Sequence, residues 1–298
     1  TREGPAAPSF TGESVLPELT KNALNYIREH TAAAKEGKPF FLYHATQAVH
    51  LPSFAAPEFQ GKTTAGPHGD FIHELDVVVG ELVATLEKLG IADNTLILFS
   101  SDNGPETTSV VHMRAYHGHD GARPWRGVKR DDWEGGHRVP FIVRWHGKVK
   151  PRSTSTQLTS LTDVMATLAA ITGAELPHNS AEDSFNLLPV LEGHATASIR
   201  PYLLTQAFSG QRTLSIRRGS WKYIDHRGSG GNNYANPELK RFALPEAAPE
   251  APGQLYDLAS DPGETTNLYF KHPEIAAELK ALLDKSKAEG RSAIPKQP

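Results

Sequence analysis

Three short segments carry side chains whose types and spacing suit chemistry at an oxyanion. Asp102-Asn103 directly follows the apolar run Thr95-Leu96-Ile97-Leu98-Phe99 and its two serines. That places it at the carboxyl end of an expected strand, the edge of an open α/β sheet where ligands bind. A carboxylate beside a carboxamide offers two hard oxygens, suited to Ca2+ or Mg2+ rather than zinc; Asp-Asn-Gly is equally ordinary turn chemistry. Lys129 ends Trp125-Arg126-Gly127-Val128-Lys129. The glycine there lets backbone and ammonium approach an oxyanion, although the order is not that of a Walker A loop, and a lone lysine is also common on a solvated surface. His50, in Ala48-Val49-His50-Leu51-Pro52, is of a type to donate a proton, to hydrogen-bond as a neutral ring, or to serve structure alone.

Other motifs fall short of a site. His73-Glu74-Leu75-Asp76-Val77 begins like a zincin helix, but Val77 stands where the second histidine is needed. His117-Gly118-His119-Asp120 has no partner ligands at metal spacing. His117 and His119 are read instead as residues of a loop at a substrate mouth, with Arg126 as another contact for an anionic substrate. Gly228-Ser229-Gly230 lacks the strand–helix elbow of a serine hydrolase. With no cysteine in 298 residues, thiol nucleophiles, disulfides and thiolate metal sites are all excluded.

The elements that must position these residues follow from periodicity. Ser14 to Glu36 reads as a helix, with Leu19, Ala23, Tyr26 and Ile27 at helical spacing, and Phe71 to Leu89 as a second, closed by Gly90. Pro39-Phe40-Phe41-Leu42-Tyr43, Thr95 to Phe99 and Val139 to Val143 read as buried strands. Thr162 is placed to cap a helix carrying Val164, Met165, Leu168 and Ile171, which Gly173 ends. This alternation predicts an α/β domain over residues 1–199, a mixed, mostly parallel sheet flanked by helices. Residues 200–298 differ. Thr213 to Arg217 and Trp221 to Asp225 flank Gly219-Ser220 as a hairpin, 227–253 is a long loop, Gln254 to Leu258 a further strand and Pro273 to Glu289 a terminal helix. The expectation is a small antiparallel α+β C-terminal subdomain.

A composition of 38% hydrophobic and 22% charged residues is that of a globular domain, and a net charge of -3 gives no basic face for nucleic acid. No run of eighteen apolar residues is present to span a membrane. The start, Thr1-Arg2-Glu3-Gly4, shows neither an initiator methionine nor a signal-peptide stretch.

Taken in order, Phe40-Phe41-Leu42-Tyr43, His50-x-Pro52, Asp76-x-x-x-Gly80, Ser101-Asp102-Asn103-Gly104, Arg126-Gly127-x-Lys129 and Glu134-Gly135-Gly136-x-Arg138-x-Pro140 closely resemble the formylglycine-dependent sulfatases. The tail, with Leu255-Tyr256-Asp257-Leu258, Asp261-Pro262-Gly263-Glu264 and Asn267-Leu268, is similar to that family's C-terminal subdomain. The resemblance implies an alkaline-phosphatase-like fold and hydrolysis of a sulfate ester, with a sulfated carbohydrate as the substrate class. It implies that Asp102 and Asn103 are ligands of a Ca2+ (Mg2+ being the alternative cation), that Lys129 and His50 contact the sulfate, and that the enzyme is periplasmic or secreted. The Glu134-to-Pro140 residues are read as structural.

The family makes formylglycine from a Cys or Ser followed by x-Pro-x-Arg, and has an acidic metal-binding pair near its N-terminus; neither is present. Ala122-Arg123-Pro124-Trp125-Arg126 comes nearest, but Ala122 has nothing to oxidise. The expectation is therefore a C-terminal sulfatase portion, inactive alone. It would be completed by an N-terminal segment bearing formylglycine, in the same protein or on a separate chain. A phosphate or phosphonate ester hydrolase of the same superfamily, and a non-catalytic fragment, are the competing readings.

Overall fold

The structure, a computed structural model, describes residues 5, 7–208 and 213–293; the Thr1-to-Gly4 stretch lies outside them. The chain packs as two compact units, one within Thr1–Ile97 and Thr108–Asp120, the other within Leu98–Thr107 and Gly121–Pro298.

The first unit is built on two helices, α1 (Val15–Lys35) and α2 (Gly66–Lys88). A turn at Gly12–Ser14, closed by reciprocal Thr11 and Ser14 hydrogen bonds, leads into α1. Leu16, Ala23 and Ile27 recur along α1 at helical spacing and are buried. One cluster gathers Leu16, Ala55, Phe71 and Val78, a second Ile27, Leu86, Ile91 and Ala92. Helix α2 starts five residues before the expected Phe71. Asp70 accepts the Gly61 and Thr63 N–H groups at 2.7 and 2.8 Å, folding the preceding loop onto the first turn.

Phe40 to Tyr43 differs from expectation. Its residues belong to no strand. Phe40 and Leu42 pack against the Ile27–Leu86 cluster, whereas Phe41 and Tyr43 are 68% and 81% exposed. An extended segment sends alternate side chains to opposite faces, and here only one of those faces meets a core.

Strand β1 (Ile97–Ser100) pairs with β2 (Phe141–Arg144) in a two-stranded sheet. Helix α3 (Thr107–Tyr116) follows β1, and the single turn α4 (Glu134–His137) precedes β2. In the second unit, α5 (Asp163–Thr172) ends at Gly173 in the left-handed conformation, as its sequence predicts, and the short α6 (Leu188–Leu191) follows.

The expected C-terminal hairpin is present and extended into a four-stranded antiparallel sheet. It runs in the order β3 (Leu203–Gln206), β4 (Leu214–Arg218), β5 (Trp221–Ile224), β6 (Gln254–Asp257). The loop before β6 carries one helical turn, α7 (Pro237–Lys240). Helix α8 (Pro273–Glu289) lays Ala276, Leu279 and Leu283, one helical face, on Ile216, Tyr223 and Leu255 of the sheet.

Candidate active site

The second unit holds Asp102, Asn103, Arg126 and Lys129; the first holds His50, His117 and His119.

In the second unit, the loop leaving β1 lies against the loop that carries Lys129. Gly104 N–H donates to the Gly136 carbonyl and Lys129 N–H to the Pro105 carbonyl, both at 2.9 Å. A side chain cannot be accommodated at Gly104, because a Cβ there would stand 1.9 Å from the Gly135 oxygen. Glu106 lies between the loops, its carboxylate accepting from both terminal nitrogens of Arg130 at 2.7 and 2.9 Å. The Lys129 ammonium stands 3.7 Å from the same carboxylate. Burial alone would raise the Glu106 carboxyl, but the Arg130 hydrogen bonds and charge, the Thr107 N–H and Lys129 reverse this and hold it below its ordinary value. Asp102 is exposed and Asn103 half-buried, its amide nitrogen donating to the Gly104 carbonyl at 2.9 Å.

The Lys129 loop is fastened to the C-terminal sheet and its long loop. Asn232 Nδ2 donates to the Lys129 carbonyl at 2.9 Å, and Phe208 N–H to the Arg130 carbonyl at 3.1 Å. Asp131 accepts from the Val128 N–H, the Asn232 N–H and the Tyr234 hydroxyl. Asp132, fully buried, accepts from Ser215 and Thr205 and pairs with His226 at 3.1 Å. Glu134 is buried among Lys222, Arg138 and Arg217 at 3.0–3.1 Å. Its own N–H donates to Glu264 at 2.6 Å, and Lys222 also reaches Glu264 at 3.0 Å. Burial opposes ionisation of both acids. At Glu134 the charges of Lys222, His137 and Arg217 overcome it and hold the carboxyl well below its ordinary value. At Glu264 burial wins despite Lys222, and with Glu134 nearby the carboxyl rises to about 7.

Arg126 is part of this anchorage. Its guanidinium stacks 3.6 Å from the Trp133 ring and donates to the Tyr256 hydroxyl and the Glu264 carbonyl at 3.2 and 2.8 Å. A cavity of about 230 Å3 beside it is lined by Trp133, Arg227, Tyr234, Phe242 and Gln254, and by none of Asp102, Asn103 and Lys129.

In the first unit His50 is exposed, with Nδ1 2.7 Å from the Leu51 carbonyl. A carbonyl only accepts, so Nδ1 carries the proton in this contact. His117 and His119 both turn their N–H groups to the Met113 carbonyl at the end of α3, and the His117 ring lies 5.3 Å from that of His112. His68 on α2 is buried within reach of the Ser53 hydroxyl, 2.9 Å from Nδ1. Burial, with the charge of His119, lowers its pKa. Among the described residues no group of three or more His, Cys, Asp or Glu gathers as a metal site. Asp102 and Asn103 nevertheless offer hard oxygens, the donor type that fits Ca2+. Sequence reasoning missed Glu106, Arg130, Lys222 and Glu264. Glu106 lies in the very loop that Asp102 and Asn103 had drawn attention to.

The family model for sulfatases matches residues 13–174. The chain belongs to the sulfatase family. It is 38% identical over 278 residues to the N-acetylgalactosamine-6-O-sulfatase of Bacteroides thetaiotaomicron, covering 92% of this chain and 51% of that protein. To bovine arylsulfatase A it is 35% identical over 267 residues, covering 88% of this chain and 51% of the relative. A solved Bacteroides thetaiotaomicron structure, described in connection with the metabolism of multiple glycosaminoglycans, is 35% identical. It superposes with a TM-score of 0.80 over 94% of this chain and 55% of its own. The fold is thus the alkaline-phosphatase-like α/β fold of sulfatases. The chain spans about half the length of the curated relatives it matches. Sulfatases as a family use Ca2+ and formylglycine.

Proposed function

We propose that this chain forms part of a hydrolase of sulfate esters acting on a sulfated carbohydrate, in a periplasmic or secreted setting. The observation that carries the reading is the seating of the Lys129 loop on the Asp102–Asn103 loop, fixed by Gly104 N–H to Gly136 and Lys129 N–H to Pro105. An ammonium and two hard oxygen donors thereby come from adjacent loops. Family membership supports assigning the ammonium to the sulfate and the oxygens to a cation.

In this reading Asp102 and Asn103 would be two ligands of a Ca2+, which would supply positive charge to offset that of the sulfate. Lys129 offsets the negative charge that builds on the sulfate as the S–O bond to the leaving alcohol breaks. His50, anchored through Nδ1 to the Leu51 carbonyl, is assigned as the proton donor to the leaving oxygen. His117 and His119 serve the substrate mouth. Arg126 is proposed as an anion contact only at its exposed edge, since its guanidinium is engaged by Trp133, Tyr256 and Glu264.

The test is hydrolysis of 4-methylumbelliferyl sulfate, with and without Ca2+, by residues 1–298 alone and by the chain joined to a segment bearing Cys/Ser-x-Pro-x-Arg. The expected result is turnover only in the joined form, and preference for the sulfate over the corresponding phosphate ester. Turnover by residues 1–298 alone would overturn the placement of the nucleophile. Preference for the phosphate would favour the phosphoryl-transfer reading, and tight binding of a sulfated sugar without turnover a non-catalytic one.

A further inference from the structure

We propose that Glu106 is a positioning residue for Lys129, gripped by Arg130 and tying the ammonium to the Asp102–Asn103 loop. The inference rests on the reading that Lys129 contacts the sulfate. Glu106 stands three residues beyond Asn103, and its carboxylate is committed to Arg130 in a two-pronged pair at 2.7 and 2.9 Å. Such a pair fixes both distance and plane. What remains for Lys129 is a looser contact at 3.7 Å. The ammonium is therefore held at a set place without a close carboxylate of its own. With 18% of its side chain exposed, it stays open to an incoming anion.

The backbone supports the same reading. Arg130 has φ 86°, a left-handed conformation that a non-glycine residue seldom adopts. It is kept there from both ends. The Arg130 carbonyl accepts from Phe208 N–H, and its guanidinium is locked on Glu106. Gly231 closes over that carbonyl so tightly that a Cβ would stand 2.1 Å from its oxygen. A residue held in a sparsely populated conformation next to a reacting group is the usual mark of an imposed geometry. Here the imposition turns Arg130 towards Glu106 while Lys129, one residue earlier, is pinned through its N–H to Pro105.

Two measurements test this. In residues 1–298, acetic anhydride labelling of Lys129 is followed by mass spectrometry, with the exposed Lys21 and Lys285 as internal standards. Glu106→Gln and Arg130→Ala should each speed Lys129 labelling several-fold while the standards keep their rates; no change in either variant would overturn the tie. In the joined, active form, kcat and KM for 4-methylumbelliferyl sulfate are compared for Lys129→Ala, Glu106→Gln, Arg130→Lys and the Glu106→Gln/Lys129→Ala double variant, each with its Tm. Misplacement of about 1 Å costs on the order of 10²-fold in rate, so Glu106→Gln should lose about that factor in kcat with little change in KM. Arg130→Lys, which keeps the charge but loses the planar fork, should share most of the loss. The double variant should be no worse than Lys129→Ala alone. Wild-type kcat in folded Glu106→Gln beside a crippled Lys129→Ala would sink the positioning role and leave Lys129 standing. Wild-type kcat in Lys129→Ala would sink the underlying reading, and additive losses would assign Glu106 an independent role.

Discussion

Lys222 Nζ donates to Glu134 Oε1 at 3.1 Å, with side chains only 1% and 4% exposed. Sequence makes Lys222 one polar residue on a hairpin strand and Glu134 the head of a glycine turn. Joined, they bind the C-terminal sheet to the segment leading into β2. A buried ion pair of this kind is weak evidence for net stability, but breaking it leaves an uncompensated charge in the interior.

Lys222→Met should therefore destabilise the chain by about 3 kcal/mol, because the buried Glu264 loses the ammonium beside it and Glu134 is left with Arg138 and Arg217. Urea unfolding at neutral pH measures it. A loss under 1 kcal/mol would show that water or rearrangement replaces Lys222 readily.

The raised Glu264 carboxyl gives stability a defined pH dependence. Its pKa in the fold, about 7, exceeds the ordinary value of 4.5. The folded state therefore holds the proton more tightly. The contribution is fully present below about 4.5 and is lost as pH rises through about 7. His226, raised by Asp132 against its burial, works in the same direction, and Glu134 in the opposite one. The variant isolates the group: stability of wild type relative to Glu264→Gln should fall between pH 4.5 and 7, by on the order of 1 kcal/mol per pKa unit. A flat difference would refute the shift.

Lys129→Ala in the active, joined form should lower kcat by about 10²–10³ while moving Tm little, since the Lys129 backbone contacts to Pro105 and Asn232 survive the truncation. A few-fold change in kcat would remove Lys129 from the chemistry.

Gly104→Ala should cost about 1–3 kcal/mol, because the new methyl meets the Gly135 backbone rather than a movable side chain. Thermal melting reads the cost. In the joined form, turnover should fall with it, as the Asp102–Asn103 loop is pushed off the Lys129 loop.

Local signals in the sequence were enough for much of the fold. Gly173 stops α5, Gly219 turns the hairpin with φ 60°, and Pro273 opens α8, which ends at Glu289 as its periodicity predicts. Phe40 to Tyr43 joins no strand, and four apolar residues in a row do not reveal whether a neighbouring strand pairs with them. Residues 102, 103 and 129 stood out through their order along the chain. Glu106 and Lys222 did not, since an acid meeting Arg130 or a lysine meeting Glu134 and Glu264 across distant sequence leaves no periodic trace.

The clasp on Asp131 and Asp132 also orders events in time. Apart from the Val128 N–H, their side-chain partners lie at Thr205, Ser215, His226, Asn232 and Tyr234, all made well after them as the chain grows from its N-terminus. Contacts so far apart in sequence must wait for the later stretch and bear its loop-closure entropy first. The segment after Lys129 is thus completed only by residues from 205 onward, while Lys129 itself also rests on Pro105 and Glu106. A chain ending before β4 would lack Ser215, His226, Asn232 and Tyr234, so the cationic corner depends for part of its bracing on the tail of the sequence.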